Sequence, residues 1–262
     1  MNAPPGAGRH DPGDRPPSWL LALIEAPRAL SEASGLLPAR GMLRRLPPGD
    51  GHPVMTLPGF LASGVSMRPM RRYLRHWGYE AHCWSLGRNL GLTPDRDLER
   101  LLDERLQTIH AESGRKVSLV GWSLGGLIAR ELARRHSHLV RTVIALGSPF
   151  GNPRATNAWR LYELMTGTRL DDESVRLRVS VLREPLADVP VTAIYSNSDA
   201  IVAASIAKLP AGDRVENIGI RTSHFGMGFH PAVLYVIADR LRQPPDDWRP
   251  FEIGGPFKLF YY

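Results

Sequence analysis

The chain has 262 residues, with 33 Lys and Arg against 26 Asp and Glu, and a net charge of +7 at pH 7. That length suits one α/β domain with a core of its own; 43% hydrophobic and 23% charged residues, with 25 Gly and 23 Pro, exclude global disorder, collagen and coiled coil. The single cysteine, Cys83, excludes an internal disulfide and a cysteine-ligated zinc or iron–sulfur centre, so the fold has no need of an oxidising compartment.

In chain order, residues 1–17 are rich in Pro and Gly and are expected to form a disordered leader. Ser18 is placed to cap an amphipathic helix through Ser34, with Gly35 as its stop, and 36–52 reads as an irregular lead-in with Pro38, Pro47, Pro48 and Gly49. The apolar run Trp19–Ile24 is too short for a signal peptide, and no uncharged run is long enough to cross a bilayer. A cytoplasmic protein without integral membrane association is expected, with a non-standard export route left open. Arg68, Arg71, Arg72 and Arg75, and then Arg130, Arg134 and Arg135, fall on expected helices whose apolar residues take the opposite face. They read as a solvated basic surface with at most a weak attraction to anionic lipid; no nucleic-acid motif accompanies them.

From residue 53 to 243 strands and helices alternate. Val54–Leu57, Ala81–Leu86, Lys116–Gly121, Val140–Leu146, Val191–Tyr195 and Val215–Ile220 read as strands. Between them, Met67, Met70, Leu74 and Trp77 mark one helix, closed by Gly78. Thr93-Pro94 opens another, with Leu98, Leu101, Leu102, Leu106 and Ile109 on one face; Leu124–His136 and Pro231–Leu241 are two more. This pattern predicts an α/β fold with a mainly parallel sheet of about six strands, covered by helices on both faces. Residues 151–187 interrupt the rhythm with two helices, about 154–166 and 171–183, and the aromatic tail 244–262 is expected to pack on the body.

The sharpest local signal is Gly121-Trp122-Ser123-Leu124-Gly125-Gly126, directly after a strand and opening a helix. A chain that turns so abruptly forces its Ser into strained φ/ψ, brings backbones together where only glycine fits, and lifts the hydroxyl out over a helix N-terminus that favours a developing oxyanion. In this motif the chain resembles the lipase and esterase branch of the α/β-hydrolase superfamily, over roughly residues 53–242. The resemblance implies a nucleophile–acid–histidine order with Ser123 as nucleophile. Asp199, in the Ser196-Asn197-Ser198-Asp199 loop after a strand, is the acid the resemblance implies, ahead of Asp171, Asp172 and Asp188; His224, after the last strand, is the base, with His230 before Pro231 as its rival. Leu57-Pro58-Gly59-Phe60 resembles the family's oxyanion loop, with Pro58 where many relatives have His, so the backbone amides of Phe60 and Leu124 are the expected oxyanion donors.

The insertion 151–187 falls where related enzymes carry a lid or cap. Its stripe of Ala158, Leu161, Tyr162 and Met165, with Trp159 beside it, suits either core packing or an acyl chain. Trp122, Trp159, Tyr162 and Met165 are the expected substrate contacts. The reading is a cofactor-free, metal-free serine carboxylester hydrolase acting on a small hydrophobic ester. The same parts also suit a thioesterase, lactonase, polyesterase, acyltransferase or peracid-forming enzyme, and a non-catalytic binding protein on this fold stands as the alternative of a different class.

Overall fold

The computed structural model describes residues 15–91, 97–244 and 247–262; the expected leader through residue 14 and the Thr93-Pro94 helix start lie outside the described residues. Six strands, β1 (Pro53–Leu57), β2 (Glu80–Cys83), β3 (Val117–Trp122), β4 (Val140–Leu146), β5 (Val191–Tyr195) and β6 (Val215–Gly219), form one parallel sheet in the order β2-β1-β3-β4-β5-β6. The order reverses between β1 and β3, which pair at Leu57 and Gly121. At such a switch point the loops leaving two neighbouring strands run in opposite directions, and a crevice opens at the carboxyl ends.

Successive side chains of each strand divide between two cores, as a pleated sheet buried on both faces requires. Val54, Val120, Ile144 and Ile194 join α3 (Leu36–Arg44), α4 (Arg68–His76) and α9 (Pro231–Arg242) on one face. Their neighbours Met55, Leu119, Val143 and Ala193 join α5 (Leu98–Ser113) and α6 (Leu124–Arg135) on the other. The tail adds buried Phe257 and Tyr261 to the α9 side, and Tyr261 bridges to Ile220 beyond β6. No described helix is long and apolar enough to cross a membrane.

Four elements differ from expectation. The helix expected over 18–34 is two, α1 (Trp19–Leu23) and α2 (Glu25–Ser34), although Ser18 does cap the first by accepting from the Leu20 amide. Gly35 does not stop the chain: it takes a right-handed helical conformation (φ −63°, ψ −19°), and α3 follows at once where a loop is expected. Pro38 lies in the first turn of α3, where a missing N–H costs nothing. β2 ends at Cys83, three residues early, because Ser85 and Gly87 turn the chain with φ of 61° and 75°. In the insertion, Pro153–Ala155 is a single 3-10 turn, followed by α7 (Trp159–Thr166) and α8 (Glu173–Arg183).

At the amino end of the sheet, His52 is fully buried. Its Nδ1 lies 2.5 Å from Asp50 Oδ1 and its Nε2 2.7 Å from Ser118 Oγ on β3. A neutral ring satisfies both, donating to Asp50 and accepting from Ser118. Burial disfavours the charged ring and brings its pKa down to about 4, against the pull of Asp50. The unfolded chain takes up this proton at about pH 6.5, before the folded chain does, so this stability is complete above that value and lost as pH falls toward 4. Thermal melts from pH 7 to about pH 4.5 are expected to show a Tm that falls with pH, and a flatter slope in His52→Gln.

Candidate active site

β3 delivers Ser123 into a conformation L-residues rarely adopt, φ 54° and ψ −121°, and α6 starts at the next residue. The strained turn persists because its surroundings leave no alternative. A Cβ on Gly121 would sit 2.2 Å from the Gly125 carbonyl oxygen, and one on Gly125 would sit 2.3 Å from that of Leu57. Both contacts are backbone and cannot yield. The Ser123 amide donates to the Leu146 carbonyl at 2.7 Å, and its hydroxyl makes no capping bond to its own helix.

Asp199 and His224 meet as a buried pair. His224 Nδ1 lies 2.7 Å from Asp199 Oδ2, while Asp199 Oδ1 accepts from the Ile201 and Val202 amides at 2.8 Å each. The Nδ1 hydrogen belongs to this bond, so Nε2 is the nitrogen left to accept a proton. The pair lies against the end of β4: the position of a Cβ on Gly147 would be 3.1 Å from His224 Nδ1 and 3.2 Å from Asp199 Oδ2. Leu146 thus accepts from Ser123, and the next residue, Gly147, lies against the Asp199–His224 pair. Trp122 adds a second link, its indole Nε1 donating to the His224 carbonyl at 3.1 Å. His230, the rival, caps α9 by accepting from the Ala232 amide.

The loop after β1 closes over the elbow. A Cβ on Gly59 would lie 3.2 Å from Ser123 Cβ. Buried Asn89 fixes this loop, its Nδ2 donating to the Pro58 carbonyl at 2.8 Å and its own carbonyl accepting from the Leu61 amide at 2.7 Å. The Leu124 amide is the first of α6 and so has no acceptor within its helix. Among the described residues, the Phe60 amide has no backbone acceptor.

A cavity of about 410 Å³ opens beside Ser123, Phe60 and Leu124, with Leu127 and Ile128 of α6 along its floor. α7 and α8 wall it with Trp159, Tyr162, Val175 and Val179, and the Tyr162 ring centroid is 5.1 Å from that of Phe60. Further along α6 the lining becomes charged at Glu131 and Arg135, where Arg135 and Arg178 pair with Glu99 at 3.1 and 3.4 Å. Of the four expected contacts, Trp159 and Tyr162 line this space. Trp122 does not, because its ring is held against the His224 loop, with the ring centroids 6.1 Å apart. Met165 is also absent from the lining and is 46% exposed. Asn89 and Gly147 have no motif to announce them, although a glycine directly after a buried strand is a signal for close approach.

Burial lowers the proton affinity of His224, but the charge and hydrogen bond of Asp199 and the charge of Glu25 outweigh it, so its pKa is raised above the ordinary imidazole value. In an NMR titration His224 is expected to protonate above pH 6.5, and Asp199→Asn to bring that midpoint down.

A family model described as the alpha/beta hydrolase family matches residues 51–253. A 108-residue stretch is 31% identical to Serine hydrolase BPHL of Mus musculus, covering 38% of this chain but only 37% of that protein. Among solved structures, the Bacillus licheniformis lipase BlEst2 in mature form superposes with a TM-score of 0.55 at 19% identity, over 76% of this chain and 95% of that one. A structure from work on LipS and LipT, two metagenome-derived lipolytic enzymes, gives 0.58 at 14% identity, over 75% and 95%. At these identities the likeness is one of fold.

Proposed function

The chain belongs to the alpha/beta hydrolase family, and from that premise we propose that it is a serine carboxylester hydrolase for esters with a hydrophobic acyl group. The observation that carries this reading is the strained Ser123 elbow sharing the end of β4 with the buried Asp199–His224 pair. A binding protein has no use for a strained serine set beside a histidine whose Nδ1 is already committed.

In this reading His224 Nε2 takes the Ser123 proton as Oγ adds to the ester carbonyl, and the Phe60 and Leu124 amides receive the charge that develops on the carbonyl oxygen. His224, now cationic beside Asp199, returns the proton to the departing alcohol. The acyl group stays on Ser123 until water, deprotonated in turn by His224, releases the acid and regenerates the hydroxyl. The acyl chain lies along Leu127 and Ile128 beneath Trp159, and the insertion acts as its cap.

The decisive assay is a series of p-nitrophenyl esters from acetate to palmitate. Wild type is expected to cleave them and Ser123→Ala to lose roughly 10⁴-fold or more in kcat; equal turnover by the variant would refute the nucleophile. Trp159→Ala, which enlarges the cavity, is expected to move the chain-length optimum toward longer acyl groups with Ser123 labelling by a small phosphonate unchanged.

A further inference from the structure

Helix α2 lies before the segment the family model matches, yet three of its side chains reach the loops of Asp199 and His224. Glu25, Arg28 and Glu32 follow one another at i, i+3 and i+7 and so share one face. Glu32 Oε1 accepts from the Ser223 amide at 2.7 Å, and its Oε2 accepts from the Ser223 hydroxyl at 2.7 Å and the Thr222 hydroxyl at 2.8 Å. Glu25 Oε1 accepts from the Phe225 amide at 2.9 Å. The two residues flanking His224 are thus each bonded to a carboxylate of α2. Arg28 does the same for the acid loop, its Nη1 and Nη2 donating to the carbonyl and hydroxyl of Ser198 at 2.7 and 2.9 Å. The chain leaves room for this arrangement: a Cβ on Gly226 would fall 1.6 Å from Glu32 Oε2.

Glu25 does more than anchor. It is 1% exposed, and its second oxygen is buried with no hydrogen-bond partner among the described residues; the nearest cation, Arg28, is 3.8 Å away. An incompletely neutralised carboxylate is a costly choice for a mere anchor. We infer that α2 completes the reactive site, Glu32 and Arg28 holding the His224 and Asp199 loops in register and Glu25 supplying a second buried negative charge to the imidazole. Two charged groups act on that imidazole, Asp199 from the loop after β5 and Glu25 from α2, and both favour its cation. Glu25 in turn faces Arg28, Asp199 and His224. Removing its charge lowers the proton affinity of His224, so the acid limb of the pH–rate profile moves to lower pH. Glu25, Arg28 and Glu32 are positioning residues.

The rate arm of the test rests on the ester-hydrolase reading, and the titration arm does not. In the full-length protein, Glu25→Gln keeps the acceptor for Phe225 and removes only the charge. It is expected to lower both the NMR midpoint of His224 and the acid limb of kcat/KM by on the order of half a pH unit. Glu32→Ala is expected to cut kcat for a short p-nitrophenyl ester by roughly 10- to 100-fold through misplacement of the base, with KM within about twofold. Leu30→Ala, on the outward face of the same helix at 74% exposure, is expected to match wild type. An unmoved His224 midpoint in Glu25→Gln would overturn the electrostatic role, and wild-type kcat in a folded Glu32→Ala would overturn the positioning role. If Glu32→Ala does not fold, the isosteric Glu25→Gln decides alone. Activity that survives Ser123→Ala would remove Ser123 as the nucleophile and leave the titration as the test of α2.

Discussion

Everything at this site hangs on how closely β3, α6 and the end of β1 approach one another. Ser123 keeps a positive φ because the helix that follows it is pressed against the carbonyl of Leu57, with no side chain between them at Gly121 or Gly125. Relaxing that turn would require moving α6 away from β1 and opening the core beneath it, where Ala129, Leu132 and Ala133 are buried. Losing such burial costs a few kcal/mol per large side chain, against the one to three that a strained residue stores. Packing therefore holds the serine in a conformation its own backbone disfavours.

The sheet order converts this local constraint into a meeting place. Because the strand order reverses between β1 and β3, the loop after β1 and the elbow after β3 face each other across the switch point. β4, next in the sheet, supplies Leu146 to the serine, and Gly147 directly after it lies against the histidine–aspartate pair. A useful contrast lies at the other end of the same strands. Asp50, His52 and Ser118 are bonded in the order carboxylate, imidazole, hydroxyl, like a catalytic triad. There the serine is an ordinary strand residue and both it and the histidine are sealed from solvent. Three side-chain types in sequence are not a reactive centre; strain, access and oxyanion donors are also required.

Much of this was legible in the sequence because it is written locally. The Gly-x-Ser-x-Gly run lies within six residues, and the strands announce themselves as short apolar runs whose carboxyl-end loops hold Asp199 and His224. What depends on distant contacts was not legible. Glu25, Arg28 and Glu32 look like ordinary solvated charges on an amphipathic helix, since their partners lie 170 to 200 residues away. Gly35 reads as a stop because glycine often takes a positive φ after a helix, yet here it stays right-handed and the helical path runs on. Adjacency to the serine points Trp122 at the substrate and helical spacing points Met165 there, but neither says which way a ring turns or which face of a helix is covered. Asn89 offers no cue at all, because its role is to bridge two loops.

The reach of α2 also has a bearing on the order in which the molecule is made. Its helix is made before the sheet, and the Ser223 amide that Glu32 accepts from lies 191 residues later. At roughly 5–20 residues per second, the strap waits on the order of 10 to 40 s for the loop it must hold. The elbow and the Phe60 and Leu124 amides lie upstream of that loop and can form earlier. A nascent chain therefore carries Ser123 for some time before α2 can fix the loop of His224.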